Sequence, residues 1–172
     1  MFNKRTELPF SKYFTKGLLV DTNILVLWFV GKTNRQRISS FKRTAAYTPQ
    51  DYDLLILLLR RFQKLVITPN ILTEVNSLIN QLGEPERSRC LRIFSQALVQ
   101  GEKAEPQIEE FYIESCVLIT EPAFNTFGLT DSSICQLAKS KYLVLTDDLR
   151  LSKYLESQGV DYLNFNYIRE GF

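Results

Sequence analysis

The sequence predicts an α/β fold on a mainly parallel sheet, and three observations point to it. Residues 17–20 (GLLV) and 142–146 (YLVLT) are short, continuously apolar runs bounded by polar residues, the pattern of strands buried on both faces of a sheet. Helical patterns with legible start signals lie between such runs, and strands alternating with helices give parallel pairing through crossover connections. A chain of 172 residues with 45% hydrophobic and 12% aromatic content is long enough for one substantial core, so residues 1–172 are expected to form a single domain.

Residues 1–16 read as an N-terminal extension. Lys4, Arg5, Glu7, Pro9 and Lys12 interrupt it, so it lacks the apolar segment of a secretory signal. The strand at 17–20 is followed at once by Asp21, then by the apolar run 24–30, in which Trp28 reads as a core residue. Residues 31–50 read as a basic loop or insertion. Thr48-Pro49-Gln50-Asp51 supplies an N-cap, a first-turn proline and an acid three residues after the cap, ahead of the leucine-rich run 54–59. After a strand at 65–68, Thr68-Pro69 repeats the device. The helix it opens carries Ile71, Leu72, Val75, Leu78, Ile79 and Leu82 at spacings that make one apolar face.

Residues 83–85 and 101–106 are rich in glycine and proline and read as helix–helix turns. Thr130-Asp131 opens a helix carrying Ile134, Cys135 and Ala138. The strand at 142–146 runs into Asp147 and Asp148, which open a helix with Leu149, Leu151 and Leu155. Residues 159–165 (GVDYLNF) read as the final strand.

Composition narrows the chemistry. There is no histidine, which removes Ser-His-Asp and Cys-His nucleophile systems, histidine-based ribonuclease chemistry and HExxH zinc sites. Cys90, Cys116 and Cys135 are too sparse for a disulfide framework and form no CxxC pair. A formal charge of +2 is too mild to announce a nucleic-acid partner. The longest apolar runs fall well short of the roughly 18 residues of a membrane span, so no membrane association and a cytoplasmic location are expected.

The carboxylates then stand out. In an open α/β sheet, ligands bind at the carboxyl ends of the strands, so Asp21, Asp147 and Asp148, each just after a strand, should share one edge. Glu74 lies three residues after Ile71 and four before Leu78, within the apolar stripe of its helix. Asp131 stands at offsets of three, four and seven from Ile134, Cys135 and Ala138. An ionised carboxylate on a buried face needs a partner or a metal ion. Each acid also has an ordinary structural reading. Asp131, Asp147 and Asp148 suit the dipole of a helix start, Asp21 suits a cap, and Glu74 suits a buried ion pair.

Val20-Asp21-Thr22-Asn23 after a strand, Glu74 in Pro69-Asn70-Ile71-Leu72-Thr73-Glu74-Val75, Leu129-Thr130-Asp131-Ser132-Ser133-Ile134, and Leu145-Thr146-Asp147-Asp148 after a strand resemble, in that order, the signature of PIN domains. The resemblance covers residues 17–165. It implies a three-layer Rossmann-like sandwich whose acids bind Mg²⁺ or Mn²⁺ and hydrolyse phosphodiester bonds in RNA. Asp21, Glu74, Asp131 and Asp148 match the family's four acids, while Asp147 occupies a variable position and is an adjoining candidate ligand. Thr22, Asn23 and Thr146 match supporting polar positions. The implied roles are the toxin of a toxin–antitoxin pair, with an antitoxin protein and a second copy of the chain as partners, or an RNA-processing or defence nuclease.

Hard carboxylate oxygens suit Mg²⁺ or Mn²⁺, and metal-assisted hydrolysis needs no histidine. The acid-free stretch from Thr22 to Gln50 carries Lys32, Arg35, Arg37, Lys42 and Arg43, with Phe41 and Tyr47 nearby. That mixture suits phosphate contact and base stacking, and it equally suits a solvated loop. Two other functions fit the pattern less fully. A haloacid-dehalogenase-type phosphatase wants a second acid two residues after the first, where this chain has Asn23. A catalytically silent PIN-like module would bind RNA or protein through the same surfaces.

Overall fold

The computed structural model describes residues 10–103, 105–139 and 141–171. Among the described residues, five strands form one sheet: β1 (Leu18–Val20), β2 (Lys64–Ile67), β3 (Gln107–Glu110), β4 (Leu143–Thr146) and β5 (Tyr162–Asn164). Their spatial order is β3-β2-β1-β4-β5, and every pairing is parallel. Strands β1 and β4 are buried throughout, as their unbroken apolar sequences require.

The chain winds outward from β1 to β2 to β3, then crosses back to β4 and continues to β5. Parallel crossovers are right-handed, so the connections of the two halves cover opposite faces of the sheet. This gives three layers, and it puts the point where strand order reverses between β1 and β4. Helix α1 (Thr22–Thr33) follows β1 and is buried at every residue from Ile24 to Gly31. Apolar all round, it belongs inside the protein rather than on its surface, and it touches α2 (Pro49–Leu59), α3 (Pro69–Ile79) and α4 (Glu86–Gln100). Trp28 is buried there against Phe29.

Helix α2 begins with the expected capping box: the Asp51 amide donates to Thr48 Oγ1 at 3.1 Å, and the Thr48 amide donates to Asp51 Oδ2 at 2.7 Å. Thr68 caps α3 through the Ile71 amide at 3.3 Å. Short α5 (Ser115–Leu118) leads to α6 (Phe124–Ala138), which breaks at Gly128, where φ is 80° and ψ is −169°. That backbone region is open essentially to glycine alone. The second half of α6 therefore restarts close to the expected opening at Thr130. Helices α7 (Leu149–Ser157) and α8 (Phe165–Glu170) complete the chain.

Three expectations differ from what is seen. Residues 101–106 lead into strand β3, not into a helix. The final strand is shorter than 159–165, because Phe165 already belongs to α8. The extension splits: residues 1–9 lie outside the described residues, while Tyr13 is buried and donates to Asp161 at 2.7 Å, so residues 10–16 belong to the folded body. Among the described residues, no helix is long and apolar enough to cross a membrane.

Candidate active site

The acids converge where strand order reverses. Because β1 and β4 are neighbours in register, with Val20 opposite Leu145, Asp21 and Asp147-Asp148 leave the sheet side by side. The Asp21 amide extends the ladder by one bond, to the Leu145 carbonyl at 2.9 Å. Asp21 is 6% exposed. Its Oδ1 accepts from the Thr22 amide at 2.6 Å and its Oδ2 from the Thr146 hydroxyl at 2.5 Å. Thr146 Oγ1 also accepts from the Asp148 amide at 3.0 Å. One buried hydroxyl thus ties the first acid to the turn that carries the other two.

Asp148 caps α7, its Oδ1 accepting from the amides of Arg150 at 2.6 Å and Leu151 at 3.1 Å. Its Oδ2 accepts no hydrogen bond from a described residue. Asp147 is engaged at both oxygens, by Asn23 Nδ2 at 3.1 Å and by the Tyr47 hydroxyl at 2.5 Å. This separates the two adjacent acids chemically. Asp147 already serves as the acceptor that a buried tyrosine needs, whereas Asp148 keeps an oxygen free. Cap and ligand are compatible roles here, because one oxygen does the capping.

Glu74 is exposed, contrary to its expected place within the apolar stripe of α3. The buried residues of that helix are Ile71, Val75 and Ile79, whose shared face centres on Val75. At about 100° per residue, Glu74 lies a quarter-turn or more from that centre. It still reaches the acid edge, its Oε2 accepting from Thr22 Oγ1 at 3.1 Å. Asp131 is half-buried, as its offsets predict, and its carboxylate accepts no hydrogen bond from a described residue. A buried bond between the hydroxyls of Thr68 and Ser133, at 2.9 Å, fixes the start of α3 against α6.

Burial and mutual repulsion act on the group. Burial, helped by the charges of Asp131 and Asp147, outweighs the bonds from Thr146 and Thr22 and pushes Asp21 from 3.8 up to about 7. Asp131 is also pushed up to about 7, by burial first and then by Asp148 and Glu74. Asp21 and Asp131 thus link all five acids into one mutually repelling set. Among the described residues no lysine or arginine forms an ion pair with any of them. The side chains are not gathered into a finished cage, since no three acids among the described residues stand close enough to hold an ion as they are. The donor chemistry nonetheless fits a hard cation: only oxygens, several unengaged, and excess negative charge.

The basic residues are not brought to the acids as one patch. Helix α1 starts at the acid edge and runs about 17 Å away from it over its 12 residues. Lys32, in its last turn, therefore sits toward the opposite edge, with Nζ 5.4 Å from the centre of the Trp28 ring. Arg35 pairs with Asp53, and Arg43 donates to Gln81 at 2.8 Å. Lys42 is exposed, and Arg37 Nε is buried without a hydrogen-bond partner among the described residues. Phe41 and Tyr47 are both buried, so neither offers a free face for base stacking; they anchor the loop in the core. A cleft of about 490 Å³ lined by Trp28, Lys32, Tyr52 and Arg60 also lies at that far end, remote from the acids.

Sequence reasoning missed the brace behind Asp147. Arg169 donates from Nη1 to the Ala46 carbonyl at 2.9 Å, lies over the Tyr47 ring at 5.2 Å and pairs with Asp51. Asn166 donates to the Asp147 carbonyl at 2.8 Å. A buried tyrosine signals that a partner exists, but that partner lies 100 residues away in sequence. No family model, curated protein or solved structure matches this chain.

Proposed function

We propose that the chain is a divalent-metal-dependent ribonuclease acting at the edge formed by β1 and β4. The observation that carries this reading is the convergence of Asp21, Asp131, Asp148 and Glu74 from four separate elements without a single paired cation among the described residues. A structural role for this many acids would bring compensating lysines or arginines, because uncompensated carboxylates destabilise the fold. Mg²⁺ or Mn²⁺ compensates them instead.

Asp21, Asp131 and Asp148 would hold the ion, and Glu74 would complete its shell or accept a proton from the attacking water. Bound there, the ion would polarise the phosphate and activate that water. The rest falls to the protein. Thr146 and Thr22 hold the Asp21 carboxylate in one orientation, and Thr22 Oγ1 holds Glu74 by Oε2, while Oε1 accepts no hydrogen bond from a described residue. Asp147 steadies the neighbouring turn through Tyr47 and Asn23. Asn23 is occupied in that bond, which leaves a phosphatase of the haloacid-dehalogenase type without its second acid. RNA as substrate is supported by the ordered resemblance of these motifs to PIN domains.

The test incubates the protein with labelled single-stranded RNA, and separately with an aryl phosphate, in MnCl₂ or EDTA. The expected outcome is RNA cleavage in Mn²⁺ that disappears in EDTA and in Asp21→Asn, with no aryl phosphate turnover. Absence of both cleavage and a Mn²⁺-dependent rise in melting temperature would sink the reading.

A further inference from the structure

With the loop cations spread away from the acids, something else must hold a polyanion against a negatively charged edge. Arg150 is placed to do so. It lies two residues beyond Asp148, in the first turn of α7, where a positive charge opposes the helix dipole. Among the described residues its side chain forms no ion pair or hydrogen bond, although five acids lie on the same edge. It rests instead over the ring of Phe127, its guanidinium carbon 5.6 Å from the ring centre, within range of a cation–π contact.

Phe127 immediately precedes the Gly128 break and lies four residues before Asp131. The Arg150–Phe127 contact therefore joins the turn that carries Asp148 to the helix that carries Asp131. On either side of it, Leu129 is 38% and Leu149 46% exposed. Phe127 is half-buried, and Tyr154, four residues after Arg150 on α7, also packs on it, with ring centres 5.5 Å apart. A cation over an aromatic ring, flanked by exposed apolar side chains, is the surface that single-stranded nucleic acid uses: phosphate to the guanidinium, base to the ring.

We propose that Arg150 and Phe127 form a strand-holding platform at the mouth of the acid site, Arg150 taking a backbone phosphate of single-stranded RNA and Phe127 with Leu149 an adjoining base. The platform rests on the nuclease reading for its purpose but not for its test. In the Asp21→Asn background, which prevents cleavage, binding of a short labelled single-stranded RNA is followed by fluorescence anisotropy across a range of NaCl. Arg150→Ala should weaken binding about tenfold and reduce the salt slope by about one. Arg150→Lys should restore the slope but only part of the affinity, because lysine lacks the planar group that stacks. Phe127→Leu should weaken binding with the slope unchanged.

Unchanged affinity and slope in Arg150→Ala overturn the platform even if the wild type cleaves RNA. Absence of RNA binding by the Asp21→Asn parent overturns it as well, even if Mn²⁺ stabilises the wild type. Weakened binding in Arg150→Ala supports the platform even if the wild type shows neither cleavage nor a Mn²⁺-dependent rise in melting temperature, in which case the metal reading fails alone.

Discussion

Replacing Asp21 by asparagine should stabilise the metal-free protein while abolishing its response to metal. Asparagine keeps the shape and an acceptor for the Thr22 amide, and Thr146 can accept from the new amide group. What disappears is a charge in a buried place. The carboxyl is raised from its ordinary 3.8 to about 7 by burial and then by Asp131 and Asp147. At about 1.4 kcal/mol per pH unit, that interval bounds the penalty for ionising it in the folded state at roughly 4 kcal/mol. The sign follows from linkage. A raised folded-state value means the folded protein holds its proton to higher pH than the unfolded chain does. The stability from that proton is whole below pH 3.8, declines from there and is gone above about 7. Part of the penalty relaxes once one acid of the coupled set is neutral, so a gain of about 1–3 kcal/mol at pH 8 is expected, or roughly 3–9 °C in melting temperature for a chain of this length. Melts of both proteins in EDTA at pH 5 and pH 8, repeated with saturating MnCl₂, test this. The advantage of the variant should shrink toward pH 5, and Mn²⁺ should raise the wild type only. A variant less stable than wild type at pH 8 in EDTA would refute the reasoning, because Asp21 would then be stabilised as an anion.

Two further substitutions test what positions the acids. Gly128→Ala forces a side chain onto a backbone at φ 80° and ψ −169° and should cost about 1–3 kcal/mol in urea denaturation; because Asp131 lies three residues beyond the break, the Mn²⁺-induced rise in melting temperature should shrink too, and unchanged stability would show that the break is not fixed by glycine. Tyr47→Phe removes the buried donor to Asp147 and should cost roughly 1.5–3 kcal/mol. A denaturation midpoint equal to wild type would show that the bond adds nothing.

The parts of this structure legible in the sequence are those set by local chemistry. The Thr48-Pro49-Asp51 box and the Thr68-Pro69 start depend on residues a turn apart, and both form as expected. Strands β1 and β4 are legible because burial on both faces makes them apolar throughout, save Thr146 at the end of β4. Strand β3 was not. It lies at the sheet edge with the sequence QIEE and one buried residue, so neither alternation nor an apolar run marks it. In the site, Asp131 is half-buried as its spacing requires, whereas Glu74 is not: two flanking apolar residues put it near a stripe, but the stripe's centre, at Val75, depends on which side α1 packs. The adjacency of Asp21 to Asp147 and Asp148 followed from strand ends only once strand order was known. The brace from Tyr47 to Arg169 has no local signature at all.

The acid edge is held together by contacts between residues far apart in sequence. Thr22 meets Glu74 across 52 residues, Tyr47 meets Asp147 across 100, Arg169 reaches Ala46 across 123, and Thr146 reaches Asp21 across 125. An all-parallel sheet has no hairpins to shorten these paths, and distant pairings are slow because the intervening chain must close first. During synthesis, Ala46 and Tyr47 wait for Arg169 to be made before their brace can form. Competence at the acid edge should therefore lag behind helix formation in refolding, and a nascent chain that lacks α8 would already carry every candidate ligand while its Asp147 turn stayed slack.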